Sequence, residues 1–187
     1  MDHERPYSSH VIHIGGIVTA QRQHSPLDED LLDWLYGSPV VVVSFGSIAE
    51  TEFVAEHKIR VFLAAFSQFP RVKFVWKFKM TDRHLSLFAN HTNVRTLEWL
   101  PQYELLAHPS TRAFISHCGA NSAIEAATLG VPVIAIPLFY DQPYNAGAII
   151  RKGLGVAIRK DEVSSSSLRR ALKTVLSDEC EQYYDKN

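Results

Sequence analysis

The sequence predicts an α/β fold, a doubly wound parallel sheet of the Rossmann type, on three observations. Short apolar segments recur along the chain, they run nearly unbroken instead of alternating with polar residues, and helical patterns separate them. A strand covered on both faces has no polar side, so unbroken apolarity marks a parallel sheet between two layers of helix. Strand, helix, strand in repeating order then demands crossover connections, which are right-handed in such sheets.

The first forty residues are the least regular. HVIHIGG (10–16) reads as an extra strand, and LDEDLLDWL (27–35) as a short helix with acidic residues in its first turn. Val40 to Ser44 is a β-branched run and the first core strand; Lys73–Phe78, Val94–Trp99, Ala113–Ser116, Val131–Ile136 and Gly155–Arg159 follow as further strands. Thr51–Phe69 places Val54, Lys58, Phe62, Ala65, Phe66 and Phe69 along one side of a helix, with the Lys58 stem snorkelling. Ser122–Leu129 stops at Gly130 and Tyr144–Lys152 stops at Gly153, as helices with glycine C-caps do. Leu168–Leu176 follows the run Ser164–Ser167, which supplies an N-cap.

At 187 residues, 46% of them hydrophobic and 21% charged, the chain suits one core, so residues 1–187 are read as one domain. A net charge of -1 without like-charge blocks gives no footprint for nucleic acid or an anionic membrane. Cys118 and Cys180 match neither a disulfide framework nor a CxxC site. The opening MDHERPYSSH lacks the plan of a signal peptide, and Val131–Tyr140, broken by two prolines, falls far short of the roughly 20 residues that span a bilayer. The chain therefore reads as soluble as given, with both ends compatible with a fragment of something longer.

Chemistry gathers where strands hand over to helices, the crevice at which open α/β sheets bind nucleotides. His117, Cys118, Gly119, Ala120, Asn121 and Ser122 lie between a buried strand and a helix, whose outward amides and a glycine suit a diphosphate. The same turn also reads as an S-x-x-E capping box between Ser122 and Glu125. Trp99 and Gln102 close the preceding strand; the tryptophan is either a stacking platform for a base or plain core. Asp141 and Gln142 offer the acceptors and donors that grip vicinal hydroxyls, or a helix N-terminus capped by Asp141 before Pro143. Ser47, after Phe45 and Gly46, is placed to donate to a phosphate, or is a turn serine. All four junctions share one edge of the sheet. Asp28-Glu29-Asp30 formally matches a metal-binding D-x-D and reads more simply as a helix first turn, and the nine histidines show no zinc spacing.

The run from Trp99 to Ala146, WLPQYELLAHPSTRAFISHCGANSAIEAATLGVPVIAIPLFYDQPYNA, closely resembles the signature of the UDP-glycosyltransferases, in particular the animal UDP-glucuronosyltransferases. HIGGI, VVVSFGS and FVWKF elsewhere in the chain are similar to the same family's carboxyl-terminal half. The resemblance implies a GT-B enzyme of two facing Rossmann-like domains, with residues 1–187 as the donor-binding one. It implies that Trp99 stacks on uracil, Gln102 bonds to the uridine, Glu125 accepts from the ribose, and His117, Ser47 and the amides around Gly119 and Ser122 hold the diphosphate. Asn121, Asp141 and Gln142 then address the sugar. The implied donor is UDP-glucuronate or UDP-glucose, without a cofactor or metal, and the reaction an inverting displacement onto a small lipophilic acceptor, with His117 stabilising the leaving group.

The family's catalytic base is a histidine of the amino-terminal domain, so the resemblance implies that this chain alone transfers nothing. It also implies an endoplasmic reticulum membrane enzyme facing the lumen. Cys118 stands where animal members have glycine, Ala120 keeps the animal form, and Lys77 stands where many have arginine, which leaves glucuronate and glucose both open. A non-catalytic UDP-binding module, or a homodimerising one, remains the other reading. An NAD-dependent dehydrogenase is disfavoured, because FGSIAE is no glycine fingerprint.

Overall fold

Five residues of unbroken valine and serine, Val40–Ser44, form strand β1, and each is buried. Successive side chains point to opposite faces, so Val41 and Val43 enter one core while Val40 and Val42 enter another. This double burial organises the molecule. The computed structural model describes residues 26–46 and 51–177; HVIHIGG and Ser47 lie outside the described residues.

In chain order the elements are α1 (Glu29–Leu35), β1, α2 (Glu56–Phe66), β2 (Lys73–Lys77), α3 (Asp82–Phe88), β3 (Val94–Leu97), α4 (Gln102–Ala107), β4 (Thr111–Ser116), α5 (Ala120–Thr128), β5 (Val133–Ala135), α6 (Gln142–Arg151), β6 (Gly155–Ala157) and α7 (Ser165–Val175). All six strands are parallel, in the order β3-β2-β1-β4-β5-β6. That is the doubly wound arrangement, and its switch point, where successive strands move to opposite sides, falls between β1 and β4. Phe62 and Phe66 of α2 and Leu168 and Leu172 of α7 pack against Val41, Phe74 and Ile115 on one face. Leu31 of α1, Leu105 of α4, Ala126 of α5 and Ile149 of α6 pack against Val42, Phe114 and Val133 on the other.

Several expectations are corrected. The long helix from Thr51 divides into a 3-10 turn at Thr51–Phe53 and α2. Lys58 is exposed, and Ile59 and Leu63 complete the buried stripe instead. Two helices, α3 and α4, arise where no helix was expected; α4 is cut short by its flanking Pro101 and Pro109, and its brief pattern falls below periodic detection. Strands β3, β5 and β6 are shorter than their apolar runs. Asp28 of the D-x-D caps α1, accepting from the Leu31 N–H at 3.3 Å. Ser164 caps α7, as the serine run suggested, and forms a capping box with Ser167.

Candidate functional site

The register brings every strand to one finishing line. Leu97 pairs with Lys77, Ser44 with Ser116, Ser116 with Ala135, and Ala135 with Ala157. Loops leaving these positions therefore share one rim.

Twin turns leave β1 and β4. Ser44 Oγ accepts from the Gly46 N–H at 3.3 Å, and Ser116 Oγ accepts from the Cys118 N–H at 3.0 Å. Both turns pass through left-handed backbone, at Gly46 (φ 90°) and at Cys118 (φ 61°), a conformation that strains a side-chain-bearing residue such as Cys118. Cys118 is buried, and burial pushes its thiol up to about 12.

Between the twin turns lies the imidazole of His117. A Cβ on Gly46 or on Gly119 would stand 2.7 Å from Nε2 in either case, so the ring is clamped by two glycines. Its Nδ1 is buried without a hydrogen-bond partner among the described residues. Burial holds this histidine below its usual range; the Ser44 carbonyl and the Asp141 carboxylate pull the other way, and the Lys77 ammonium adds to the lowering. The resting ring is neutral at pH 7.

Helix α5 begins at Ala120 with Gly119 as N-cap and no side-chain cap. The capping box between Ser122 and Glu125 is therefore not formed. Both side chains instead meet Gln102, whose Nε2 donates to Glu125 Oε2 at 2.7 Å and to Ser122 Oγ at 3.1 Å. Gln102 opens α4 rather than closing β3. The first-turn amides of α5 are left for an anion to use. Trp99 is 77% exposed, which rules out the core reading, and Lys77 Nζ lies 5.6 Å from its ring centroid.

These groups line an open cleft of about 470 Å³. Of the candidate residues, Trp99, Gln102, His117, Gly119, Asn121, Ser122, Glu125 and Gln142 line it. Asp141 does not; it is exposed, and its Oδ2 accepts from Asn145 Nδ2 at 2.8 Å. Gln142 is buried at the start of α6, where its Oε1 accepts from the Leu138 and Phe139 N–H groups at 2.8 and 3.1 Å and so folds the preceding loop. Sequence reasoning gave no site role to Lys77, Phe139 or Asn145. Lys77 and Phe139 line the cleft, and the Lys77 ammonium donates to the Gly46 carbonyl at 2.9 Å. Asn145 Nδ2 joins the Cys118 carbonyl, at 3.0 Å, to Asp141. A charged residue directly after the apolar run Phe74–Trp76, at the carboxyl end of its strand, was the available signal for Lys77. Among the described residues no group of three or more His, Cys, Asp or Glu could hold a metal ion, and no helix is long and apolar enough to cross a membrane.

Comparison with known proteins agrees with this geometry. Human UDP-glucuronosyltransferase 1A3 is 36% identical over 181 residues, covering 95% of the chain and 32% of the relative. Mouse 2-hydroxyacylsphingosine 1-beta-galactosyltransferase is 35% identical over 182 residues, covering 95% of the chain and 32% of the relative. The chain thus spans about a third of the length of the curated relatives it matches. Among solved structures, Medicago truncatula UGT71G1 complexed with UDP-glucose is similar with a TM-score of 0.72 at 27% identity, over 88% of this chain and 40% of that one. Os79 from O. sativa in complex with UDP is similar with a TM-score of 0.72 at 26% identity, over 87% and 39%. The family model described as UDP-glucoronosyl and UDP-glucosyl transferase matches residues 1–187, and the chain belongs to that family.

Proposed function

We propose that this chain is the donor-binding domain of a UDP-glycosyltransferase and that the cleft holds a UDP-sugar across the β1/β4 switch point. The observation that carries the reading is the glycine-clamped His117 beside the uncapped start of α5, in one cleft with an exposed tryptophan and a buried carboxylate. Trp99 stacks on the uracil, and the Gln102–Glu125 pair receives the ribose hydroxyls. His117 and the amides at Gly119, Asn121 and Ser122 hold the diphosphate, with Ser47, which follows β1 in the sequence, donating to it. Asn121 and Gln142 address the sugar, and Asp141, outside the cleft lining but near enough for its charge to act on His117, joins them.

In the full-length protein an acceptor hydroxyl attacks the anomeric carbon as the bond to the β-phosphate oxygen breaks. Its proton passes to a base on an amino-terminal domain that also shapes the pocket for a small lipophilic acceptor, and UDP departs. The protein faces the lumen of the endoplasmic reticulum. The donor is UDP-glucuronate or UDP-glucose. Similarity to glucuronosyl- and galactosyltransferases at nearly equal identity means that overall likeness does not select the sugar.

Calorimetric titration of the chain with UDP, UDP-glucose and UDP-glucuronate tests the reading. Binding of all three is expected, without transfer to an acceptor by the chain alone. Absence of UDP binding at millimolar concentration overturns the donor site, and turnover by the isolated chain overturns the assignment of the base to another domain.

A further inference from the structure

A second cavity, of about 670 Å³, opens on the other helical layer of the sheet. The donor cleft is lined from α4, α5 and α6, whereas this pocket is lined from α2 and from the segments that follow β5 and β6; among the described residues Phe45 alone belongs to both. Its apolar walls include Phe45, Val54, Val61, Phe62, Leu138 and Val163, all within or packed against the core cluster beneath α2 and α7. Packed interiors leave few voids larger than a water molecule. This unfilled corner of the core falls instead in the size range of small-molecule pockets, about 300–1,000 Å³.

Lys58 gives the corner its chemistry. The sequence sets this lysine in an apolar stripe with Val54 and Phe62, and in the structure all three line the pocket, so the odd residue of the stripe meets open space and not packed protein. Its ammonium forms no ion pair among the described residues. Lys160 lines the same pocket and donates to the Leu138 carbonyl at 3.3 Å, again without a carboxylate partner. Asp161, also in the lining, is already matched: its two oxygens accept from Arg159 Nε at 3.2 Å and Nη2 at 2.6 Å. Glu52 pairs with Lys79 at 2.6 Å and Glu56 with Arg60 at 3.5 Å, so the acids that precede α2 or open it are matched as well. Two cations on an apolar hole are left over.

We propose that this pocket is a second ligand site, for an amphipathic monoanion: a medium-chain carboxylate with its apolar chain in the corner and its head group between Lys58 and Lys160. The chain supplies the affinity, since each methylene removed from water tightens binding by up to about fourfold. The head group supplies the selectivity. Exposed ammonium groups add only up to about fivefold in affinity for a carboxylate, but an alkylammonium ion of the same length meets two like charges. Because the donor cleft lies on the other layer, the site stands whether or not that cleft holds a UDP-sugar.

The test is an NMR titration of the chain with decanoate, decanol and decylammonium, each below its micelle concentration, with and without UDP. The methyl groups of Val54, Val61, Leu138 and Val163 report on the pocket, and the Trp99 indole reports on the donor cleft. Decanoate is expected to shift the four methyl signals saturably, more tightly than octanoate or hexanoate, and to bind ahead of decanol, with decylammonium last. UDP should leave that binding in place. Lys58→Glu, an exposed substitution that spares the core, should move decylammonium ahead of decanoate, and Val61→Trp, which fills the corner, should abolish both. Equal affinity for the three head groups, or an unchanged order in Lys58→Glu, overturns the proposal. So do shifts confined to Trp99 and lost on adding UDP, which put the amphiphile in the donor cleft, and methyl shifts that follow protein dilution without ligand, which put a second copy of the chain in the pocket. Failure of UDP to move Trp99 while decanoate still moves the methyl groups overturns the donor reading and spares this one.

Discussion

Gly119→Ala tests whether the glycine clamp positions His117. The new Cβ would stand 2.7 Å from Nε2, closer than side-chain carbons approach a neighbour, and a tight 3.2 Å from Cε1, so the ring must swing away. On its other side Gly46 is equally close, so the swing carries Nε2 out of its place over the cleft. Gly119 has φ -58° and ψ 150°, which alanine adopts freely, so the backbone is unstrained. Crowding then costs about 1–3 kcal/mol of stability, which leaves the domain folded. Loss of a charge-assisted contact to the diphosphate costs about 1.5–3 kcal/mol, a roughly ten- to hundredfold weaker affinity for UDP-glucose. The assay is calorimetry on wild type, Gly119→Ala, His117→Ala and the double variant. If Gly119 acts through His117, the double variant binds no more weakly than His117→Ala alone. Additive losses would refute the clamp and assign Gly119 a separate role in admitting the phosphate; wild-type affinity in Gly119→Ala would refute both.

Trp99→Ala should weaken UDP by about 1–3 kcal/mol through lost stacking while leaving the melting temperature nearly unchanged, since the ring is 77% exposed; differential scanning fluorimetry and titration together check this. Asn145→Ala should cost about 1–3 kcal/mol in stability for its two hydrogen bonds, and should weaken UDP-glucose more than UDP, because Asp141 loses its tether. Affinity for UDP-glucose, whose diphosphate is esterified at both ends, should rise as pH falls below the usual histidine range. The free His117 pKa is lowered, a bound diphosphate raises it, and binding between those values takes up a proton; His117→Ala should abolish the slope. Fold stability should move the opposite way. His84, His91 and His117 are all held below their unfolded values, so the stability of their neutral forms is full above about pH 6.5 and is lost as pH falls from there, as denaturant melts would show.

The sheet was legible because its signal is coarse. Valine runs buried on both faces leave an unbroken apolar pattern, and Val40–Ser44 appears in the structure with the bounds that pattern predicts. Gly130 and Gly153 ended their helices as expected because left-handed backbone (φ 67° and 69°) favours glycine there. The candidate cleft was legible as residue types at junctions, but its wiring was not. Ser122 and Glu125 satisfy a local capping pattern in sequence, and a partner 20 or more residues away, Gln102, takes both of them in the structure. Such a choice depends on where α4 meets α5, and α4 itself was too short to read. Trp99 followed the same logic: an indole two residues before a proline carries no mark of which side faces solvent.

On the proposed reading, the charge state of the cleft explains why a neutral histidine would suit the place where a diphosphate leaves. Lys77 is the resting cation, anchored to the Gly46 carbonyl and near Trp99, and burial lowers its pKa. Its field also lowers the proton affinity of His117. A permanently charged ring would attract bound donor and transition state almost alike, and uniform attraction does not speed the chemical step. A neutral ring responds instead to charge as it grows. In the proposed reaction negative charge would gather on the β-phosphate as the anomeric bond stretches, the pull on a proton at His117 would rise, and the contact would strengthen most where the barrier is highest. On that reading the clamp by Gly46 and Gly119 would hold the ring in place for that moment at little reorganisation cost, and Lys77 would keep the diphosphate within reach before any proton is taken up.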